Sequence, residues 1–130
     1  MLIDLLDNLE WYRALHPAMQ TVIDILDRSL PYEDAAGQHN VDGLGYQVLA
    51  YVTDDPGSLQ TATERQLHVV LEGEELFSLQ DGNKQPVVVS HLTTGSFVLV
   101  AKGETYRHQQ VLNGTCAVKK VIFKLPESVL

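Results

Sequence analysis

The chain has 130 residues, a length that suits one domain, and its 45% hydrophobic content is enough to build a core. A formal net charge of −8 argues against nucleic acid or anionic membrane as a partner, because phosphate contacts need clustered Lys and Arg. No apolar run approaches the ~20 residues of a membrane span, and the acidic start MLIDLLDNLEWYR lacks the basic opening and small-residue cleavage site of a signal peptide, so a cytoplasmic location is expected.

Residues 1–30 are helical in pattern. Leu2, Leu5, Leu6, Leu9 and Tyr12 recur at three- and four-residue spacing. Pro17 suits the first turn of a second helix, with His16 at its start. Met19, Val22, Ile23 and Leu26 form the apolar stripe of that helix, and Pro31 ends it.

From about residue 37 short apolar runs alternate with turn signals. The expected strands are 46–52, 67–71, 75–79, 86–92, 96–100, 105–112 and 117–125. The breaks include Asp42-Gly43, Asp54-Asp55-Pro56-Gly57, Gly73, Asp81-Gly82-Asn83, Gly95, Lys102-Gly103 and Asn113-Gly114. Many short strands with Gly-rich turns predict a mainly β fold, a double-sheet barrel over about 37–125 with two N-terminal helices packed on it.

On the strand around residue 69, Leu67, Val69 and Leu71 make the second face apolar as well, so that face needs a cover. The N-terminal helices or a second copy of the chain would supply it, which makes a homodimer an expectation. Glu72, Glu74 and Glu75 read as a solvated hairpin tip, and Asp54-Asp55 as a turn. Lys119, Lys120 and Lys124 split between two faces of one strand. Cys116, alone in the chain, supports neither an internal disulfide nor a thiolate cage and reads as a buried thiol. His39 and His91 show no partner in the sequence.

A metal-binding cupin barrel places an H-x-H pair, a Glu and a later His so that all four converge inside. With Gly73 closing the first such motif, the Glu position falls on Gln66 and the two His positions on Leu59 and Thr61. With Gly95 opening the second motif, its Gly falls on Gly103 and its His on Tyr106. The frame fits and the ligands are replaced, so no metal and no other cofactor is expected. A weaker alternative is a metal site rebuilt from His68 and His108.

Five segments carry a family resemblance: LHPAMQTVIDIL (15–26), NVDGLGYQVLAYVTDDPG (40–57), VVLEGEEL (69–76), KGETYR (102–107) and VKKVIFKL (118–125). In this order and spacing the chain resembles the YhcH/YjgK/YiaL family, which includes the EbgC and TabA types. The resemblance implies a double-stranded β-helix, the cupin-like jelly roll, often dimeric. It also implies a link to sugar metabolism: a sugar anomerase, or an accessory subunit of a larger β-galactosidase-type glycosidase. His68, Glu104, Tyr106 and Arg107 are similar to the EbgC-type variant.

Strand parity predicts the pocket. Gln66, His68 and Val70 share one face, and Tyr106 and His108 share the inward face of a later strand. A cavity of Gln66, His68, Tyr106 and His108, with Glu64 at the rim, suits hydrogen bonds to a small sugar or sugar acid. Arg107 and Glu104 are further candidates for substrate contact, although Arg107 has outward parity. His68 and Glu64 are the expected acid–base pair for anomer interconversion. The alternative is a non-catalytic interaction subunit whose pocket is filled by Leu59, Phe97 and Tyr106. A bulge would reverse the parity on which this reading depends.

Overall fold

The structure is a computed structural model that describes residues 2–53, 59–83, 85–109 and 117–126, excluding the side chains of His108 and Gln109. Cys116 and the Asp54–Gly57 turn lie outside the described residues. In chain order the elements are β1 (Leu2–Leu5), a 3-10 helix (Leu6–Leu15), α1 (Met19–Asp27), the single turn α2 (Leu30–Glu33), β2 (Gly37–Val41), β3 (Leu44–Val52), β4 (Gln60–Thr61), β5 (Arg65–Glu72), β6 (Glu75–Gln80), β7 (Pro86–Leu92), β8 (Ser96–Val100), β9 (Thr105–Gln109) and β10 (Ala117–Leu125).

The strands form two antiparallel sheets. One has six strands in the order β1-β8-β5-β10-β3-β2, and the other has four in the order β4-β9-β6-β7. This is the mainly β, cupin-type jelly roll. The seven expected strands are present within the described residues, and three short ones, β1, β2 and β4, join them.

The N-terminus departs from the expected helix. Leu2–Leu5 pairs antiparallel with β8, Leu2 opposite Leu99 and Leu5 opposite Ser96. The free backbone groups along that edge of β8 take the segment as a strand and override its helical spacing. The helix that follows is 3-10, and Leu6, Leu9, Tyr12 and Leu15 explain why. Their strict three-residue spacing lies on one edge of a helix with three residues per turn. Pro31 does not end a helix but sits in the first turn of α2, where its missing N–H costs nothing.

Two cores result. Between the helices and the six-stranded sheet lie Leu9, Met19, Val22, Ile25, Tyr46, Val48, Leu67, Val69, Leu71, Phe97, Val121 and Phe123. The cover for the odd face of β5 is therefore the N-terminal helical segment of the same chain. It is worth about 1.5–3 kcal/mol for each fully buried aliphatic side chain. Between the two sheets lie Ala62, Val70, Phe77, Leu79, Leu92, Val98, Val100 and Tyr106. Phe97 thus packs under the helices and does not fill the barrel.

Candidate functional site

The alternation of β5 survives where it matters. Opposite β10 the register runs without a break from Arg65 to Val70, then shifts between Lys119 and Lys120 so that Leu71 is passed over. The irregularity falls beyond His68, so Gln66, His68 and Val70 keep their inward face. The same alternation turns Gln47, Leu49 and Tyr51 of β3 inward, and Lys120, Ile122 and Lys124 of β10 with them.

These side chains border a cavity of about 310 Å³ lined by Gln47, Leu49, Gln60, Thr61, Gln66, His68, Tyr106, Lys120, Ile122 and Lys124. Gln60 and Thr61 are exposed at its mouth, and Gln47, Leu49, Gln66 and Lys124 are half-buried. His68, Tyr106 and Lys120 form a closed floor, with His68 and Lys120 at 0% exposure.

The floor is held by hydrogen bonds and ring contacts. Gln66 Oε1 accepts from the Tyr106 hydroxyl at 3.2 Å and lies 2.9 Å from His68 Nε2. A carboxamide oxygen only accepts, so the imidazole donates from Nε2. The His68 ring meets Tyr106 edge-on at 4.9 Å and Phe77 at 5.6 Å, and Phe77 stacks on Tyr106 at 5.3 Å. Burial, followed by the negative charge of Glu75, pushes the Tyr106 phenol up to about 12. It is therefore a neutral donor at physiological pH.

Next to this cluster is a buried ion pair that the sequence reading missed. Lys120 Nζ lies 3.3 Å from Glu75 Oε2, and their side chains are 1% and 0% exposed. The Tyr51 hydroxyl donates to the other carboxylate oxygen of Glu75. Lys120 Nζ also sits 5.0 Å from the centre of the Phe77 ring. Burial pushes the Lys120 ammonium below the usual lysine range, and the Glu75 carboxylate opposes that shift. Glu75 is thus no part of a solvated tip. It starts β6 on the inward face that Phe77 and Leu79 share. The signal available in the sequence was parity: Glu75 alternates with Phe77, and Lys120 with Ile122 and Lys124.

The other expected site residues are dispersed. Glu64 lies in the bend before β5 and does not line the cavity, so the expected His68–Glu64 acid–base pair is not assembled. Glu104 caps its own turn, accepting from the Ala101 N–H at 2.7 Å. Arg107 stands on the outward face of β9, half-buried opposite Ser78, as its parity indicated. His108 pairs with Phe77 in the backbone register, and its side chain lies outside the described residues. The remaining histidines have partners: His16 bonds the Pro126 carbonyl and the Ala18 N–H, His39 bonds the Ala35 carbonyl, and His91 bonds Glu74.

No family model and no curated protein matches the chain. Solved structures do. Co(II) HppE in complex with Tris buffer is 24% identical, with TM-score 0.54 over 63% of this chain and 45% of that one. Hydroxypropylphosphonic acid epoxidase from S. wedmorenis is 21% identical, with TM-score 0.53 over 63% and 43%. Protein NMB1881 from Neisseria meningitidis is 13% identical, with TM-score 0.54 over 77% and 95%. The chain spans less than half the length of the HppE and epoxidase chains. These likenesses establish the cupin-type fold.

Co(II) in one of these neighbours raises the question of a metal here, and the donors at the cupin ligand positions do not fit one. Of the four positions that carry ligands in a metal-binding cupin, Thr61, Gln66 and Tyr106 do line the cavity. They offer a neutral hydroxyl, a carboxamide and a phenol held in its protonated form. Among the described residues no three His, Cys, Asp or Glu side chains converge.

Proposed function

We propose that this protein binds a small carbohydrate or sugar acid in the mouth of its barrel, as a divergent relative of the YhcH/YjgK/YiaL family. The observation that carries the reading is the lining of the cavity. Three glutamines, a threonine and a lysine at or near the open end, with a tyrosine in the floor, supply donors and acceptors in the mixture that hydroxyl groups require. Lys124, half-buried at the mouth and 3.4 Å from Gln38 Oε1, supplies a charge for the carboxylate of a sugar acid. A volume of about 310 Å³ is at the lower end of ligand pockets and suits a monosaccharide. In this reading His68 is the proton-exchanging group nearest the ligand, reached past Gln66.

A wider concavity of about 540 Å³ beside His16, Arg65 and Lys102 is less suited. Arg65 is committed there to the Leu15 carbonyl and His16 to the Pro126 carbonyl.

A second reading has an observation of its own. The complete burial of His68 favours a protein-interaction subunit with a closed, vestigial pocket. A thermal-shift screen of neutral sugars, sugar acids and sugar phosphates on wild type and His68→Ala separates the two. A ligand at ten times its Kd adds about 1.4 kcal/mol and raises Tm by about 3–6 °C in a domain of this size. That shift is expected in the wild type and much reduced in His68→Ala. A screen with no shift in either protein favours the interaction subunit.

A further inference from the structure

The Lys120–Glu75 pair stands at the floor of the cavity, and the binding of a carbohydrate there does not require it. A lysine is costly to bury, and among the described residues the charge of Lys120 is offset by the carboxylate of Glu75. Lys120 is among the residues that line the cavity, and its amine lies 5.0 Å from the centre of the Phe77 ring. A desolvated lysine beside a proton acceptor is the arrangement in which an amine becomes a nucleophile toward carbonyl carbon. Glu75 is such an acceptor, and the Tyr51 hydroxyl holds it in place.

We propose that Lys120 forms an imine with the open-chain aldehyde or ketone form of the ligand, with Glu75 carrying the proton between steps. The inference rests on the carbohydrate reading of the cavity and adds the reacting group.

At rest the pair is ammonium and carboxylate. The ammonium gives one proton to Glu75, and the free amine attacks the carbonyl carbon. A C–N bond forms while the C=O π electrons move to oxygen, and a proton moves from nitrogen to that oxygen to give the carbinolamine. Glu75 then returns its proton to the hydroxyl, water leaves, and a C=N iminium remains beside the restored carboxylate. No electrons are gained or lost. A low intrinsic proton affinity of the buried amine favours the first transfer.

The test uses the wild-type protein, so no variant has to fold. Glyceraldehyde and sodium cyanoborohydride are added at neutral pH, and the label on each of the five lysines is measured by peptide mass spectrometry. Binding of a hexose and of its methyl glycoside, which cannot open, is followed in parallel by thermal shift. The proposal expects Lys120 to carry about tenfold more label than Lys102, Lys119 or Lys124 at short times. It also expects an excess of methyl glycoside to protect Lys120 selectively. Equal labelling of all lysines, with the glycoside still stabilising the protein, overturns the imine and leaves the carbohydrate reading intact. Equal labelling with no stabilisation by any sugar overturns both.

Discussion

Lys120 and Glu75 are each at 0% exposure, and each has had to leave water. Their attraction at 3.3 Å offsets a desolvation cost of several kcal/mol per ion, and the Tyr51 hydroxyl satisfies part of what remains. Removing one partner leaves the other buried without its counter-ion. Lys120→Met and Glu75→Leu are each expected to lose about 3–5 kcal/mol of stability. The double variant is expected to lose far less than the sum, because two apolar side chains can occupy the same space. Urea unfolding of the four proteins measures this directly, and additive losses would mean that the pair is not coupled. The same two residues show why the site was only partly legible. Gln66, His68 and Tyr106 were found because alternation along a strand is visible in the sequence. Glu75 follows Gly73-Glu74 and reads as part of a turn, because charged residues near a turn are usually solvated. Its burial depends on Lys120, which lies 45 positions away, and no local pattern reveals a cross-sheet partner.

At the scale of elements, the turn between β5 and β6 is the most constrained glycine turn among the described residues. Gly73 has φ of +89°, and a Cβ built there would lie 2.3 Å from the Ala117 carbonyl oxygen. Gly95 has a similar φ of +88° but open space around it. Gly95→Ala should therefore cost only its left-handed backbone, about 1–2 kcal/mol. Gly73→Ala should cost that and a backbone collision, about twice as much or more. Paired denaturation curves check the ratio, and equal losses would show that the loop moves away from Ala117 at little cost. Elements with a strong period were legible: the seven strand runs and the stripe of α1. The first residues were not, because Leu2–Leu5 becomes a strand only through β8, and its own spacing gives no sign of that pairing. The need to cover Leu67, Val69 and Leu71 was legible as well. The cover is the chain's own helical segment, so the apolar face by itself no longer calls for a second copy.

Across the whole molecule, all five tyrosines are held protonated more firmly than free tyrosine. The causes differ. The Asp4 carboxylate acts first at Tyr12, and burial acts first at Tyr32, Tyr46, Tyr51 and Tyr106, with Tyr46 and Tyr106 pushed up to about 12. The folded state therefore keeps protons that the unfolded chain loses above its ordinary phenol value of 10.0. By linkage this stabilisation is fully present below pH 10 and is lost as pH rises through the folded values toward 12. Phenolate absorbance should rise late and steeply, together with loss of the β-sheet circular dichroism. A titration centred near 10 with the fold intact would contradict the burial of Tyr46 and Tyr106. The fold was the most legible feature: laid on the frame of the two cupin motifs, Thr61, Gln66 and Tyr106 fall on ligand positions, and all three line one cavity. The ligand is the least legible, because the positions that would define it by metal chemistry carry hydroxyl and amide groups instead.

The central claim is that a small carbohydrate enters the mouth of the barrel. The most direct measurement is a backbone amide NMR titration with the best sugar or sugar acid from the thermal-shift screen. The account predicts saturable shifts at Gln47, Thr61, Gln66, His68 and Lys120, with the amides of α1 unmoved. Saturable shifts confined to another surface, or none at ligand concentrations well above the apparent Kd, would contradict it.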